Sequence, residues 1–388
     1  MLAHSPHLPL DIEYLFDEAD DVTAEDEQGA ILALKEYDRV RRVRLVTPDL
    51  QKFIMAMDDE YPILEYLMIV DPDENWRSTL IFPETLQAPN LRHLLLSGFT
   101  LPVGSRLLTS AVGLVTLGVG IIHPSTYLHP NTLLQCLSLM PQLEILVFAF
   151  AFADPNRDIE RQLTHIPIST PVTLPNLHIF KLQGVKTYLE ALVHRIIAPR
   201  LEKLDIVFFS QLTFSVPCLL QFVNAAEIVM SKSAKFKFAN EEVKVKVYPH
   251  EGVEIHALSI DVECFHLDWQ VSSAAQIFNS LNLALSAVEH LTLEHEVHRR
   301  SSEEHDEADR TEWRKLLSSF GNVKILRIGE GLVKELSDAL ELDDGELSSE
   351  LLPELQELTY SGSGNTRAFT SFFDSRQTAG RPITLIRS

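Results

Sequence analysis

The residues best equipped for chemistry are three histidines in EHEVHRRSSEEHDEADR (294–310): His295, His298 and His305, set among carboxylates. Imidazole and carboxylate groups are zinc ligands. The order here is H-E-V-H, however, and not the H-E-x-x-H that places two histidines on one helix face with a general base between them. The stretch is strongly polar and reads as a mobile acidic surface loop near 296–310, so no metal is expected there. Cys136, Cys218 and Cys264 lie far apart, with no C-x-x-C pair and no disulfide framework. Gly113, Gly118 and Gly120 do not make G-x-G-x-x-G, SGSGNTR (361–367) lacks a phosphate-cradling lysine, and no G-x-S-x-G occurs. Carboxylates are plentiful, but none is paired with a histidine by local spacing. The expectation is a protein that is not an enzyme and needs no cofactor.

What the sequence does offer is repetition. APNLRHLLL (88–96), MPQLEILVF (140–148), LPNLHIFKL (174–182), APRLEKLDI (198–206) and LLPELQELTY (351–360) share the phrase P-x-L-x-x-L-x-L. Aligned on the first aliphatic, strong copies start at Leu64, Leu91, Leu114, Leu143, Leu177, Leu201, Val288, Val323 and Leu355, and weaker ones at Val40, Ala225 and Ile255. Starts recur 23 to 35 residues apart, at the upper edge of the leucine-rich-repeat range of roughly 20–29. The last two aliphatics of each phrase are two apart and share one face of a strand. Between phrases, 48–60, 130–140, 185–198, 269–286, 307–320 and 331–341 have helical amphipathic spacing. The expected fold is α/β: an irregular leucine-rich-repeat solenoid of about 12 units over 40–388, a horseshoe with parallel strands on the concave face and helices on the convex face. Residues 1–39, with a first strand in PLDIEYLF (9–16) and an acidic loop in DEADDVTAEDEQG (17–29), form a capping segment.

In such a stack the aliphatics are core, and recognition falls to the residues alternating with them. The second and fourth positions after each first aliphatic give Arg42 and Arg44, Tyr66 and Met68, His93 and Leu95, Thr116 and Gly118, Ile145 and Val147, and Ile179 and Lys181. The early units are basic and the middle is apolar. Arg42, Arg44, Tyr66, Met68, His93, Leu95, Ile145, Val147, Ile179 and Lys181 are the candidate partner-binding residues, for a protein target on the concave face. One segment breaks the array. AKFKFANEEVKVKVY (234–248) alternates with period two about Asn240-Glu241, a hairpin-like insertion near 231–250. Its Lys235, Lys237, Lys244 and Lys246 read as a charged guard on exposed strands.

Composition excludes several classes. With 33 basic and 55 acidic side chains the net charge is −22, which repels phosphate backbones and anionic lipid, so neither nucleic acid nor membrane is an expected partner. MLAHSPHLPL is not a signal peptide, and the apolar run 107–122 is short and glycine-broken, a poor membrane span. Unpaired cysteines point to a reducing compartment, cytoplasmic or nuclear.

The order of phrases in the second half, HLDWQVSSAAQIFNSL (266–281), SAVEHLTLEHE (286–296), TEWRKLLSSFGNVKILRIGEGLVKELSDALE (311–341), LLPELQELTY and FFDSRQTAGRPITLI (372–386), resembles the F-box/leucine-rich-repeat-like proteins of mushroom-forming fungi. PHLPLDIEYLF is similar to the strand that follows the F-box region in that family. The resemblance implies a substrate receptor of an SCF ubiquitin ligase, in which the F-box docks on a Skp-type adaptor and the repeats hold the target. The helical L-P-x-E module of an F-box is not found before residue 40, and LPEL at 352–355 belongs to a repeat. The expected adaptor contact therefore requires an F-box supplied upstream; the alternative is a free-standing binding module without a ubiquitin-ligase role.

Overall fold

The computed structural model describes residues 8–15, 23–72, 80–100, 105–121, 128–151, 171–209, 214–226, 231–281, 286–296, 309–341, 351–361 and 368–387. The chain is mixed α/β and clusters into two compact units, Met1–Leu201 and Glu202–Ser388.

The strands of the first unit are β1 (Leu10–Leu15), β2 (Val40–Val46), β3 (Tyr66–Val70), β4 (Leu80–Ile81), β5 (His93–Ser97), β6 (Phe99–Thr100), β7 (Thr116–Ile121), β8 (Ile145–Phe150), β9 (Val172–Thr173), β10 (Ile179–Gly184) and β11 (Ile196–Ile197). Seven of them form a parallel run in the order β1-β2-β3-β5-β7-β8-β10. The small pairs β4 with β6 and β9 with β11 lie outside that run. The repeated aliphatics hold it together. Val40, Leu64, Leu91, Leu114, Leu143 and Leu177 are fully buried, as are the inward residues two apart on each strand, such as Leu67 with Ile69 and Leu146 with Phe148. Each such side chain contributes about 1.5–3 kcal/mol of burial.

The rungs repeat in their hydrogen bonds too. One carbonyl accepts two successive backbone N–H groups of the next rung: Glu65 from Arg92 and His93, Arg92 from Val115 and Thr116, Val115 from Glu144 and Ile145, Glu144 from His178 and Ile179. Side-chain amides add stitches. Asn90 donates to the Pro62 carbonyl (2.6 Å) and Asn176 to that of Pro141 (3.2 Å). The connecting segments carry the helices Ala24–Leu34, Gln51–Ala56, Arg106–Ser110, Pro130–Leu137 and Lys186–Val193. Pro130 sits in the first helical turn, where its missing N–H costs nothing, behind a His129 side chain that accepts from the Asn131 N–H.

The second unit holds β12 (Lys203–Phe208), β13 (Ser233–Phe238), β14 (Glu242–Tyr248), β15 (Leu258–Glu263), β16 (His290–His295), β17 (Ile325–Ile328), β18 (Glu357–Tyr360) and β19 (Thr384–Arg387). Their order is β12-β15-β14-β13-β16-β17-β18-β19, parallel except for the β13–β14 and β14–β15 pairs. The same double acceptance recurs at the carbonyls of Lys232, Glu289 and Lys324, and Asn322 donates to Ser286 at 2.6 Å. The helices are Pro217–Ala225, Leu267–Ser280, Arg310–Ser318, Val333–Leu340 and Thr370–Thr378. An aromatic cluster joins sheet to helices: the Phe236 ring meets Phe278 at 5.1 Å and Phe320 at 5.7 Å, and Phe238 meets Trp313 at 5.3 Å.

Several sequence expectations need correction. Part of the acidic stretch 17–29 is helix: Thr23 and Asp26 form a reciprocal capping box, and Glu25, Asp26 and Glu27 face the positive end of the helix dipole. The weak copy at Ala225 is not a rung. Ala225 is exposed at the end of a helix, and Glu227 and Val229 lie outside the described residues. At the other weak copy, Ile255 is 73% exposed; only its followers Leu258 and Ile260 are core. The lysine-rich hairpin is no edge guard. β13 and β14 are interior strands, and Lys235 pairs with Glu294 (2.7 Å), Lys237 with Glu296 (2.6 Å) and Lys244 with Glu242 (2.8 Å).

Candidate functional site

Period-two alternation gives the sheet of the first unit two faces, one built of the buried aliphatics and the other of the residues between them. All ten candidate residues lie on this second face, exposed or half-buried. Strand register aligns them in two rows. One row runs Asp11, Arg42, Tyr66, His93, Thr116, Ile145, Ile179, and the other Glu13, Arg44, Met68, Leu95, Gly118, Val147, Lys181. With strands about 4.8 Å apart, the distance from Arg42 to Ile179 is about 24 Å.

The chemistry changes along the rows. At the β1–β2 end, a recess of ≈ 210 Å³ is lined by Asp11, Ile12, Glu13, Arg42, Arg44 and Tyr66. Asp11 is held by Arg41, outside the rows, through two hydrogen bonds of 3.1 and 2.8 Å. Arg42 places its guanidinium 5.0 Å from the Tyr66 ring centre, a cation–π contact. Among the described residues, Arg42 and Arg44 have no ion-pair partner. Next, the His93 ring lies 6.0 Å from that of Tyr66, and its Nδ1 is 3.1 Å from Thr116 Oγ1. Burial, then Arg92 and Arg42, hold the His93 imidazole below its ordinary value, which favours its neutral form. From there the face is apolar through Met68, Leu95, Ile145, Val147 and Ile179, until Lys181.

A third row escaped the sequence reading: Val46, Val70, Ser97, Gly120, Ala149 and Gln183, aligned in the same register. The signal was present, since each lies two residues beyond the fourth position used to choose candidates. Val46, Val70 and Ala149 add apolar surface beside the strip, Ser97 and Gly120 are small, and Gln183 is polar.

Among the described residues no group of three His, Cys, Asp or Glu side chains could hold a metal ion; His298 and His305 lie outside them. No described helix is long and apolar enough to cross a membrane.

No protein-family model and no curated protein matches the chain. Among solved structures it is similar to a chain in the crystal structure of a TLR13–ssRNA13 complex, with 12% identity and a TM-score of 0.35. The match covers 98% of this chain and 49% of that one, so the chain spans about half the length of that structure.

Proposed function

We propose that this chain is a protein-interaction scaffold, a leucine-rich-repeat solenoid that grips a protein target on the outward face of its first-unit sheet. The observation that carries the reading is the register of Met68, Leu95, Ile145, Val147 and Ile179, which joins apolar side chains of four strands into one solvent-facing strip. Contiguous apolar surface with a charged rim is the pattern of an interaction site, because its burial by a partner is favourable and the rim fixes orientation.

The more specific form of the proposal is that the chain is the target-recognition region of an F-box-type receptor of an SCF ubiquitin ligase. Its support is the order of phrases in the second half of the sequence. Docking on a Skp-type adaptor would then require an F-box supplied upstream. Affinity capture of the tagged chain from extract of its own host, followed by mass spectrometry, tests this form. Co-capture of a Skp-type adaptor and a cullin with a target is the expected result. Reproducible capture of a target with no adaptor would leave a free-standing binding module.

A further inference from the structure

In the second unit, a carboxylate of the chain itself occupies a cationic site. The connection from β14 to β15 is long: residues 249–257 join two adjacent antiparallel strands, whereas residues 239–241 suffice between β13 and β14. Val253 and Ile255 on this loop are 40% and 73% exposed, so apolar packing does not hold it. Polar pins do. His256 Nε2 lies 2.7 Å from Asp205 Oδ1 on β12. Glu251 reaches β16 and β17, where Oε1 accepts from Arg327 Nη1 and Oε2 lies 2.9 Å from His290 Nδ1. Gly252, with φ +80°, supplies the turn beside it.

The fit of Glu251 is incomplete. His290 Nδ1 is buried and makes no hydrogen bond, the nearby carboxylate being outside hydrogen-bond geometry. Arg327 keeps 42% of its side chain exposed. Thr292 and Thr359 flank Arg327 in register, and two charges on the same strands or rows are already engaged: Lys235 with Glu294, and Glu357 with the Thr359 hydroxyl at 3.2 Å.

We propose that Arg327 and His290 form a recognition site for a carboxylate on an acidic segment of a partner protein, and that Glu251 masks this site in the free chain. Glu251 is the ligand's chemistry presented in cis. A tethered carboxylate competes at an effective concentration of about millimolar, so masking weakens outside ligands without abolishing binding. Displacement of the loop frees one guanidinium fork and one imidazole together, and arginine suits bidentate carboxylate recognition.

The test is fluorescence anisotropy of a labelled oligoglutamate peptide with the full chain at low ionic strength, comparing wild type with Glu251→Gln. Unmasking predicts binding tighter by about tenfold. Arg327→Gln added to Glu251→Gln should remove the gain. Glu254→Gln, which deletes the same charge from the same loop without touching Arg327, should leave affinity unchanged. Glu251→Ala repeats the test should the glutamine still hold Arg327. Thermal melting of each variant establishes folding. Equal affinity of wild type and both Glu251 variants would overturn the proposal, as would a gain that survives loss of Arg327 or appears equally in Glu254→Gln.

Discussion

The Leu95 side chain lies across Gly118: a β-carbon on Gly118 would stand 2.5 Å from Leu95 Cδ2. The two are cross-strand partners on β5 and β7. Glycine here lets a leucine lean sideways and close the gap between Met68 and Val147, which keeps the apolar strip continuous. Gly120 does the same for Ser97, whose Oγ would be 2.8 Å from an added β-carbon.

Gly118→Ala should therefore separate stability from recognition. The atom in the way ends a flexible side chain, so the fold should change by less than about 1 kcal/mol, helped by the entropy glycine no longer loses. Leu95 must move, and target capture should weaken. Chemical denaturation and quantitative capture of both forms check this; a large loss of stability would place Leu95 in the core.

The asparagine stitches make a second prediction. Asn90, Asn176 and Asn322 each donate to a carbonyl of the preceding rung. Replacement of any one by Ala should cost about 0.5–1.5 kcal/mol in urea unfolding, the net worth of one hydrogen bond. These residues were invisible in the phrase P-x-L-x-x-L-x-L, where they occupy a free position. A hydrogen bond between rungs about thirty residues apart leaves no local period, whereas the aliphatics, repeated in every rung, do.

Asp261 gives a pH-dependent prediction. Burial is the largest influence on its carboxyl and raises its pKa, against the weaker pull of Lys244. A carboxylate raised in the fold favours the protonated form. Its penalty is therefore absent well below the ordinary aspartate value of about 4 and develops as pH rises through the folded value. Asp261→Asn should keep or raise the melting temperature at pH 7, and the difference should vanish at acid pH. A clear drop at pH 7 would mean that the Lys244 pair, at 3.8 Å, dominates.

The cysteines should respond unequally to a thiol reagent. Cys136 and Cys264 are buried, and burial, with Asp268 second, pushes the Cys264 thiol up to about 12. Cys218 is half-buried. Labelling of the native chain at pH 8 should modify Cys218 first and leave the other two protected until denaturant is added.

The sequence was most legible where one physical rule repeats. Ten of the twelve phrases, with their first aliphatics buried, place the core, and the two-residue offset from that core placed all ten candidates on the other face. Legibility failed where partners are distant. Ala225 and Ile255 look like phrase starts by residue type, but Ala225 ends a helix, and Ile255 is exposed on the loop before β15, where only Leu258 and Ile260 join the core. Lys235 of the β13–β14 hairpin finds Glu294 on β16, a pairing set by strand order and not by spacing, whereas Lys244 pairs most closely with Glu242 two residues away on its own strand. The Glu251 contact spans 76 residues to Arg327 and has no local signature.

The most direct test of the central claim is capture of the chain's target by wild type and by Ile145→Lys/Val147→Lys, with Val112→Lys, an exposed position away from the strands, as the charge control. Both altered side chains are half-buried on the outward face of β8, one in each row, so the double variant should melt within a few degrees of wild type. The predicted result is loss of capture by the folded double variant and full capture by Val112→Lys. Undiminished capture by the folded double variant would contradict the assignment of this face as the binding surface.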